Sequence, residues 1–466
     1  MDNDNVTRTD GSLSFGGLTA MIIGSTIGAG IFTTAGDMAS NGAHTGSVLV
    51  GWTIAGIGMY MLMRCFFELN KLRPDLTNGI YSYAKEGFGE YVGFNSAWGY
   101  WMSALISNVS YITLLFGALG YFFPVFGEGN NGTSVICGSI AVWLIVVLVS
   151  KGVQQATLIN VVVTICKLIP ILVFIVAVLL LGKFELSVFF DNFWGRGDVP
   201  LSLQIMSTTS STVWAFIGVE GAVVLSARAR RADDVGKASL TGFLGILALY
   251  VTVAVLSMGV MTTEELAQLN NPQMAQILEE VVGPWGATLV NVGVIISILG
   301  ALLGWTIIAA ECPYEAARQG VFTKAFAGSN KHGSPVFALV VTNLLIQAFL
   351  LIILVSEASY LAFYTIGSSM IMLPYLLSAL YYLQLRKNAY AIVGTVYGIW
   401  MIISAGIIQF LITSILYAPG IWVYVKGRRE KGLKAFEPFE KRIAVMLLVV
   451  ASTSIVLMAA GIVDPF

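Results

Sequence analysis

Long apolar stretches separated by short polar segments run along almost the whole chain. Each stretch holds roughly 17 residues or more, which is enough for a helix to cross the hydrocarbon core of a bilayer. Strands of a membrane barrel would be shorter and would alternate in polarity, so the pattern predicts helices. We expect twelve transmembrane helices plus a thirteenth near the C-terminus, with the limits 14–38, 46–67, 91–122, 134–150, 156–182, 203–226, 238–260, 286–311, 336–355, 359–385, 391–407, 409–425 and 443–462.

The composition is typical of an all-α integral membrane protein. Hydrophobic residues make up 57% of the chain and charged residues 11%, whereas charged residues are about a quarter of a typical soluble domain. Because no long polar region separates the apolar segments, we expect one membrane domain over residues 1–466. The first segment is full length and follows a polar start, so we interpret it as an anchor and not as a cleaved signal peptide.

The placement of Lys and Arg predicts the orientation in the membrane. If the N-terminus is cytoplasmic, all but three of the 25 basic residues fall in inner loops. The exceptions are Lys183 and Arg196 in an outer loop and Lys167 within a span. This asymmetry follows the positive-inside rule and predicts a multi-pass protein of the cell membrane. The outer connection over residues 261–285 is predicted to contain a short surface helix.

Three glycines interrupt the first apolar segment in Gly24–Phe32, and the sixth segment has a similar interruption in Trp214–Gly221. In hydrocarbon, a broken helix is tolerated only where its freed backbone groups face protein or a water-filled cavity. Paired interruptions at matching places in two halves are typical of transporters built from inverted repeats. The alternative for the first run is close helix packing through Gly24 and Gly28.

The first break suits a carboxylate. The N-terminal end of a half-helix presents N–H groups and positive dipole charge, which attract an anion. Gly28, Ala29 and Gly30 would let a substrate backbone approach closely, with Ile27 and Ile31 as neighbours. The sequence therefore favours an amino acid as the ligand.

Two ionisable residues lie inside predicted spans, where they are costly and are therefore functional candidates. Glu220 follows the second break and is a candidate for a proton-sensing or gating group, or for the partner of a cationic ligand. The alternative is a neutral Glu220 bonded to the neighbouring broken helix. Lys167 lies deep in the fifth span, where its ammonium could take the place of a coupling sodium ion or pair with an acid such as Glu220. Snorkelling to the membrane surface is the alternative for Lys167.

Aromatic and amide side chains complete the set of candidates. Trp214 and Trp305 lie away from the predicted membrane interfaces and could form an aromatic wall with cation–π capacity, although core packing would explain them equally well. Tyr100, Asn108 and Tyr111 share one face of the third span through their spacing. Asn108 needs a hydrogen-bond partner in apolar surroundings, and that partner is either another helix or a ligand.

The four cysteines have no paired spacing, and the two histidines stand apart from each other. The sequence therefore predicts no disulfide framework and no metal site. Paired acids and nucleophile–base spacings are missing from the predicted spans, which argues against an enzyme or a channel. We expect no cofactor, no metal and no nucleic-acid partner.

Several motifs, taken in order, resemble the amino acid, polyamine and organocation transporter superfamily, and within it the basic amino acid/polyamine antiporters. The resemblance covers essentially the full chain. It implies a five-plus-five inverted repeat of the LeuT type, with halves at 14–182 and 203–385, accessory helices at 391–462, alternating access and no cofactor. The motifs are Gly24–Phe32, Arg73–Asp75, Gly79–Ala84, Gly93–Trp101, Trp214–Gly221 and Gly304–Thr306.

The resemblance also implies roles for single residues. As in arginine/agmatine exchangers, Gly28 to Gly30 would line the carboxylate site, flanked by Ile27. Glu220 would be the pH-sensing acid, and Tyr375 resembles the outer gate tyrosine. The substrate-contacting or gating side chains would be Tyr100, Asn108, Trp214, Ile217 and Trp305.

The chain departs from that pattern at two places. Ala29 stands where a serine is expected, and Gly367 replaces a serine of the tenth span, with Ser368 adjacent. The run Thr33–Asp37 replaces the Leu-Pro-Gln-Asn sequence that is usual in the arginine/ornithine antiporters, which the chain otherwise resembles most. Arginine/agmatine specificity is therefore not carried over.

We predict exchange of an external amino acid, cationic by preference, for an internal product of its breakdown, with the arginine/ornithine pair first. Exchange of histidine for histamine, tyrosine for tyramine or agmatine for putrescine is an open alternative. A proton-coupled importer of the same fold is another. The expected partners are small-molecule amino acids and amines and the lipid bilayer, and a homodimer is left open.

Overall fold

The computed structural model describes residues 26–76, 80–152, 157–197, 199–219 and 232–463, together with Phe15, Thr19 and Ile23, without the side chains of 157–162 and 232–236. All regular secondary structure in these ranges is helical. The helices are α1 (Thr34–Ser40), α2 (Thr45–Leu72), α3 (Ile80–Phe88), α4 (Glu90–Gly120), α5 (Gly132–Ser150), α6 (Thr157–Leu180), α7 (Leu186–Phe190), α8 (Leu201–Ser207), α9 (Thr209–Phe216), α10 (Ala232–Val260), α11 (Thr263–Leu266), α12 (Gln273–Val282), α13 (Pro284–Arg318), α14 (Val336–Ser356), α15 (Tyr360–Leu385), α16 (Ala389–Arg429) and α17 (Pro438–Ala459).

Ten of the described helices are long and apolar enough to cross a membrane. Predicted segments two to five and seven to ten correspond to α2, α4, α5, α6, α10, α13, α14 and α15, with ends that differ by a few residues. The eleventh and twelfth segments correspond to two helices that meet at a kink at Gly406 (φ 81°, ψ 172°) and carry the single label α16. The protein is therefore an all-helical, multi-pass membrane protein.

The centre of the fold is α4, which is buried along nearly its whole length. It packs against α13 and α15, and small polar residues permit the close approach. Ser103 Oγ, for example, donates a hydrogen bond of 2.7 Å to the carbonyl of Gly367 in α15. A helix that is covered on all sides carries apolar or small residues all round. Side chains on α4 are thus held in fixed positions at the middle of the bundle.

The first and sixth predicted segments are interrupted where glycine occurs. In the first, Gly28 has extended geometry (φ −89°, ψ −153°) and is followed by a short 3-10 turn, Ala29–Phe32, before α1 begins. In the sixth, α9 ends at Phe216, Ile217 is extended (φ −59°, ψ 130°) and Gly218 has φ +100°. Side chains with a Cβ rarely adopt that positive φ. The first predicted break is therefore confirmed in the backbone, and for the second the described residues show that the helix ends at Phe216.

The outer connection contains two helices, α11 and α12, in place of one surface helix. One face of α12 is buried, including Gln273, Met274 and Ile277. The prediction of a short helix here is confirmed, and the buried face of α12 packs onto the bundle and onto the turn of the first break. Ser40 Oγ, at the end of α1, also donates a 3.1 Å hydrogen bond to the carbonyl of Ala267, which directly follows α11. This bond links α1 to the outer connection.

The last helix, α17, contacts the N-terminal end of α4. Its buried Glu440 accepts a hydrogen bond of 2.9 Å from the Tyr91 N–H in the first turn of α4. The same side chain accepts one of 3.0 Å from the Glu437 N–H at the start of α17. Because the first N–H groups of a helix lack partners within it, one carboxylate caps two helices at once.

We predict that Glu440→Ala lowers the free energy of unfolding by about 1 kcal/mol, since it removes acceptors from two helix N-termini. Denaturation of purified protein in detergent, followed by tryptophan fluorescence, measures the change. Lys441→Ala, next to it and exposed, is the matched control and should leave stability within about 0.5 kcal/mol. Equal stability of the two variants would contradict the capping role.

Candidate functional site at the two helix breaks

The two breaks meet through a tryptophan. A Cβ placed on Gly30, in the first break, would lie 2.8 Å from Cδ1 of Trp214, which belongs to the last turn of α9. Since real Cβ contacts are longer, the absence of a side chain at Gly30 is what lets the indole lie against the first break. The predicted residues Gly30 and Trp214 are thus brought together.

Threonines hold the geometry of the first break. The Gly30 carbonyl accepts a 3.1 Å hydrogen bond from the Thr33 N–H and another from the Thr34 hydroxyl. A carbonyl at a helix end otherwise lacks a partner. The presence of Thr33 and Thr34 in place of the usual sequence therefore has a structural reason. Their backbone and hydroxyl donors supply hydrogen bonds to the carbonyl that the break leaves without a partner.

Lys167 lies at the same break. Its Nζ donates a hydrogen bond of 2.8 Å to the carbonyl of Ile27, the residue before Gly28, and its side chain is 5% exposed. The ammonium therefore does not snorkel to the membrane surface. A cation beside the freed carbonyls of a half-helix is favourable, because they carry the negative end of the helix dipole.

Tyr111 and Asn108 reach the region from α4. The Tyr111 hydroxyl would lie 3.2 Å from a Cβ on Gly28, and its ring lies 5.5 Å from that of Trp214. Asn108, one helical turn away, is 1% exposed, and among the described residues neither of its side-chain polar atoms has a hydrogen-bond partner. A buried amide without a partner costs free energy, so it marks a position where a ligand could bind.

Trp305 lies at the second break. Its Cζ2 would be 3.9 Å from a Cβ on Gly218, and its side chain interacts with Tyr111. The other predicted residues of the two breaks, Ile27, Ala29 and Ile217, are buried. Glu220 and the rest of the second break lie outside the described residues.

Some residues at the two breaks are partly exposed, whereas others are buried. Gly28, Gly218, Trp305 and Tyr100 keep partial exposure, although they lie inside the bundle. Tyr100 is on α4 between Asn108 and the end of that helix that is capped by α17. Partial exposure is thus retained at both breaks and at Tyr100.

The side of the breaks away from Tyr100 is closed by a group of aromatic rings. Trp214 Nε1 donates a 2.9 Å hydrogen bond to the Tyr360 hydroxyl, and the Trp214 ring stacks on that of Tyr364 with centroids 5.5 Å apart. The Tyr364 hydroxyl lies 2.9 Å from Ser211 Oγ. Trp214 is 7% exposed, and both tyrosines are almost completely buried. Sequence reasoning missed Tyr360 and Tyr364, whose spacing of four on α15 was the available signal.

A buried acid, also missed, lies next to these rings. Asp37 of α1 is 2% exposed and accepts a 2.9 Å hydrogen bond from Gln273 Nε2 of α12. Thr33, Asn271 and Tyr364 also form side-chain hydrogen bonds with it. In the sequence it appeared only within the run Thr33–Asp37 at the end of the first predicted span.

The other end of the bundle has its own polar cluster. Arg73, after α2, donates to Asp75 at 2.7 Å, to Glu86 of α3 at 3.1 Å, and to the Tyr381 hydroxyl of α15. The Arg73 guanidinium lowers the pKa of the Asp75 carboxyl. Asp75 therefore stays ionised, and the pair stays intact, as the pH falls into the usual aspartate range.

Tyr375 lies toward this second cluster. Its ring is 5.5 Å from that of Phe66, near the Arg73 end of α2. Along α15 it is about 16 Å from Tyr364 and only about 9 Å from Tyr381, at 1.5 Å per residue. Tyr375 therefore lies nearer to the Arg73 cluster than to the rings around Trp214, and its role as an outer gate tyrosine stays a prediction.

Ten apolar helices, with two interrupted segments that meet at buried aromatic rings, define a polytopic membrane protein with a candidate small-molecule site at membrane depth. The sequence model of the family described as amino acid permease matches residues 13–463. The chain therefore belongs to the amino acid permease family. Membership indicates a transporter and not an enzyme.

Relatives match nearly end to end. The chain is 40% identical over 478 residues to a protein of Pseudomonas aeruginosa named arginine/ornithine antiporter, with 97% of this chain and 98% of that protein covered. It is 38% identical over 471 residues to a protein of Chlamydia felis named arginine/agmatine antiporter, with 96% of both covered. A protein of Chlamydia caviae with the latter name is 39% identical over 458 residues, covering 92% of this chain and 94% of that protein.

We predict that Gly30→Ala lowers the rate of substrate transport about tenfold, because the added methyl group would displace the Trp214 indole at an overpacking cost of 1–3 kcal/mol. Initial rates in proteoliposomes measure the effect. The matched control is Gly245→Ala in α10, where the new Cβ would lie 3.5 Å from its nearest neighbour, and transport should be unchanged. Equal rates for the two variants would show that Trp214 does not need the space at Gly30.

Proposed function

We propose that the protein is a secondary active antiporter that exchanges an external cationic amino acid for an internal product of its breakdown, arginine for ornithine in the first place. The observation that carries this proposal is the pair of backbone breaks held together by Trp214. It is supported by the names of relatives that match almost the whole chain.

The first break would bind the substrate's carboxylate. Gly28, Ala29 and Gly30 carry little or no side chain, so their backbone N–H groups can be approached closely, and the start of a half-helix favours an anion. The unpartnered amide of Asn108 would bind a polar group of the same substrate. The side chain would then lie between Trp214 and Trp305, whose ring faces attract a guanidinium or ammonium.

We further infer a five-plus-five inverted repeat with halves at 14–182 and 203–385 and the accessory helices α16 and α17 beyond them. The excess of Lys and Arg in alternate loops supports a cytoplasmic N-terminus. With that orientation, the rings around Trp214 form an outer gate and the cluster around Arg73 lies on the inner side. Partial exposure of Gly28, Gly218, Trp305 and Tyr100 then corresponds to access from the cytoplasm.

Lys167 would replace a coupling sodium ion. Its ammonium donates to the Ile27 carbonyl, and a carbonyl freed at a helix break is the type of group that coordinates sodium in transporters with broken helices. Because the protein supplies this charge itself, exchange should not need sodium. For Glu220 the role in pH sensing remains a proposal from the sequence.

Exchange is tested in proteoliposomes that are preloaded with labelled ornithine. We predict that external arginine releases the label, and that buffer without an amino acid does not, because the empty carrier reorients slowly. Replacing sodium by choline should leave the rate unchanged.

The same assay separates the alternatives. Release by histidine, tyrosine or agmatine, after loading with the matching amine, would change the substrate pair but keep the exchanger. Accumulation of arginine under a pH gradient, with no internal counter-substrate, would instead identify a proton-coupled importer. If none of the external substrates releases a preloaded one, the exchanger proposal is wrong.

A further inference from the structure

We propose that Asp37, Gln273 and Asn271 form an outer binding site for the cationic side-chain group of the external substrate, a guanidinium or an ammonium, ahead of the site at the helix breaks. This inference rests on the proposed function. It assigns a ligand to groups that lie outside the two breaks, on the far side of Trp214.

The first argument is the charge. Asp37 carries its carboxylate at the end of the first segment, 2% exposed, and we find no salt bridge to it among the described residues. Neutral side chains supply its hydrogen bonds. A cation would stabilise the charged form of a buried carboxyl group that only neutral donors surround, so a cation would bind there favourably.

The second argument is a set of unused acceptors. Gln273 and Asn271 each use their side chain to bond with Asp37. Within the described part of the chain, the side-chain oxygens Gln273 Oε1 and Asn271 Oδ1 are buried and accept no hydrogen bond. An amide oxygen is separated from its own nitrogen by one carbon, so both acceptors lie close to the carboxylate. Guanidinium and ammonium groups carry only donors, which is the complement of this set.

The third argument is a continuous row of rings between this acid and the helix breaks. Tyr360 and Tyr364 lie with centroids 5.1 Å apart, Tyr364 stacks on Trp214 at 5.5 Å, and Trp214 lies 5.5 Å from Tyr111. Tyr111 in turn approaches Gly28. Aromatic faces stabilise an organic cation along such a row, whereas a sodium ion prefers oxygen ligands alone, so we favour the organic cation.

The helix α12 covers Asp37, so movement of α12 would open the proposed site. Gln273 belongs to α12, which is too short to be a span, and a Cβ on Gly36 would lie 2.5 Å from Gln273 Cγ. Gly36 therefore lets this side chain lie directly on α1. A small displacement of α12 would expose Asp37 to an arriving cation while the Gln273 and Asn271 side-chain oxygens stay close enough to accept hydrogen bonds from it. Binding of the external substrate would then offset the cost of opening the outer side.

The test compares Asp37→Asn with wild type in proteoliposomes of defined orientation. Citrulline, the uncharged analogue of arginine, is the second substrate. For substrate added outside, we expect Asp37→Asn to lose about tenfold or more of the preference for arginine over citrulline, since one charge-assisted contact is removed. The KM for internal substrate should stay unchanged, and size-exclusion profiles should match.

Asp191→Asn is the matched control, because Asp191 is an exposed acid in a loop predicted to lie on the same side. It should keep the wild-type preference. If Asp37→Asn does not fold, Asn271→Leu carries the test, and its external KM for arginine should rise about threefold or more, as expected for one lost hydrogen bond.

An unchanged external preference for arginine in folded Asp37→Asn would overturn the proposal, and so would an equal loss on both faces. Stimulation by external sodium that disappears in Asp37→Asn would identify sodium as the occupant and would also overturn it. Absence of exchange in wild type would instead count against the proposed function, so the two failures are distinguishable.

Discussion

The whole arrangement depends on one constraint, that backbone groups freed inside hydrocarbon must find partners within the protein. At the first break, Lys167 supplies a donor to the Ile27 carbonyl, and Thr33 and Thr34 supply donors to the Gly30 carbonyl. These contacts let a helix stop and restart in the middle of the bundle. Lys167 on α6 and Trp214 on α9 therefore fix the place of the break relative to α4.

The aromatic rings that close one side of the breaks depend on the geometry of the first break. Because Gly30 has no side chain, Trp214 lies against the first break, and from there its indole reaches Tyr360 and Tyr364 on α15. Asp37 links these rings to the cover helix α12. The other end is linked by Arg73, which joins α2, α3 and α15 through ion pairs and a tyrosine. Alternating access requires that such contacts break on one side at a time.

Much of this could be predicted from the sequence, and the reason is physical. Spans are long apolar runs and breaks need glycine, so both can be recognised in the sequence. Lys167 can be recognised too, because a charged residue is rare at that depth. The cluster around Asp37 leaves no such mark. Asp37, Gln273 and Tyr364 are distant in sequence and come together only when α1, α12 and α15 pack. For Tyr375 the sequence motif suggested a gate role, but a motif carries no information on depth along a helix, and only the packed helices place it nearer to the Arg73 cluster than to Trp214.

A cryo-EM map of the protein in lipid nanodiscs with saturating arginine would test the central claim most directly. We expect ligand density between the two breaks, with the carboxylate at Gly28 to Gly30 and the guanidinium between Trp214 and Trp305. Continuous side-chain packing across the breaks, with arginine density found only elsewhere, would contradict the proposed substrate site.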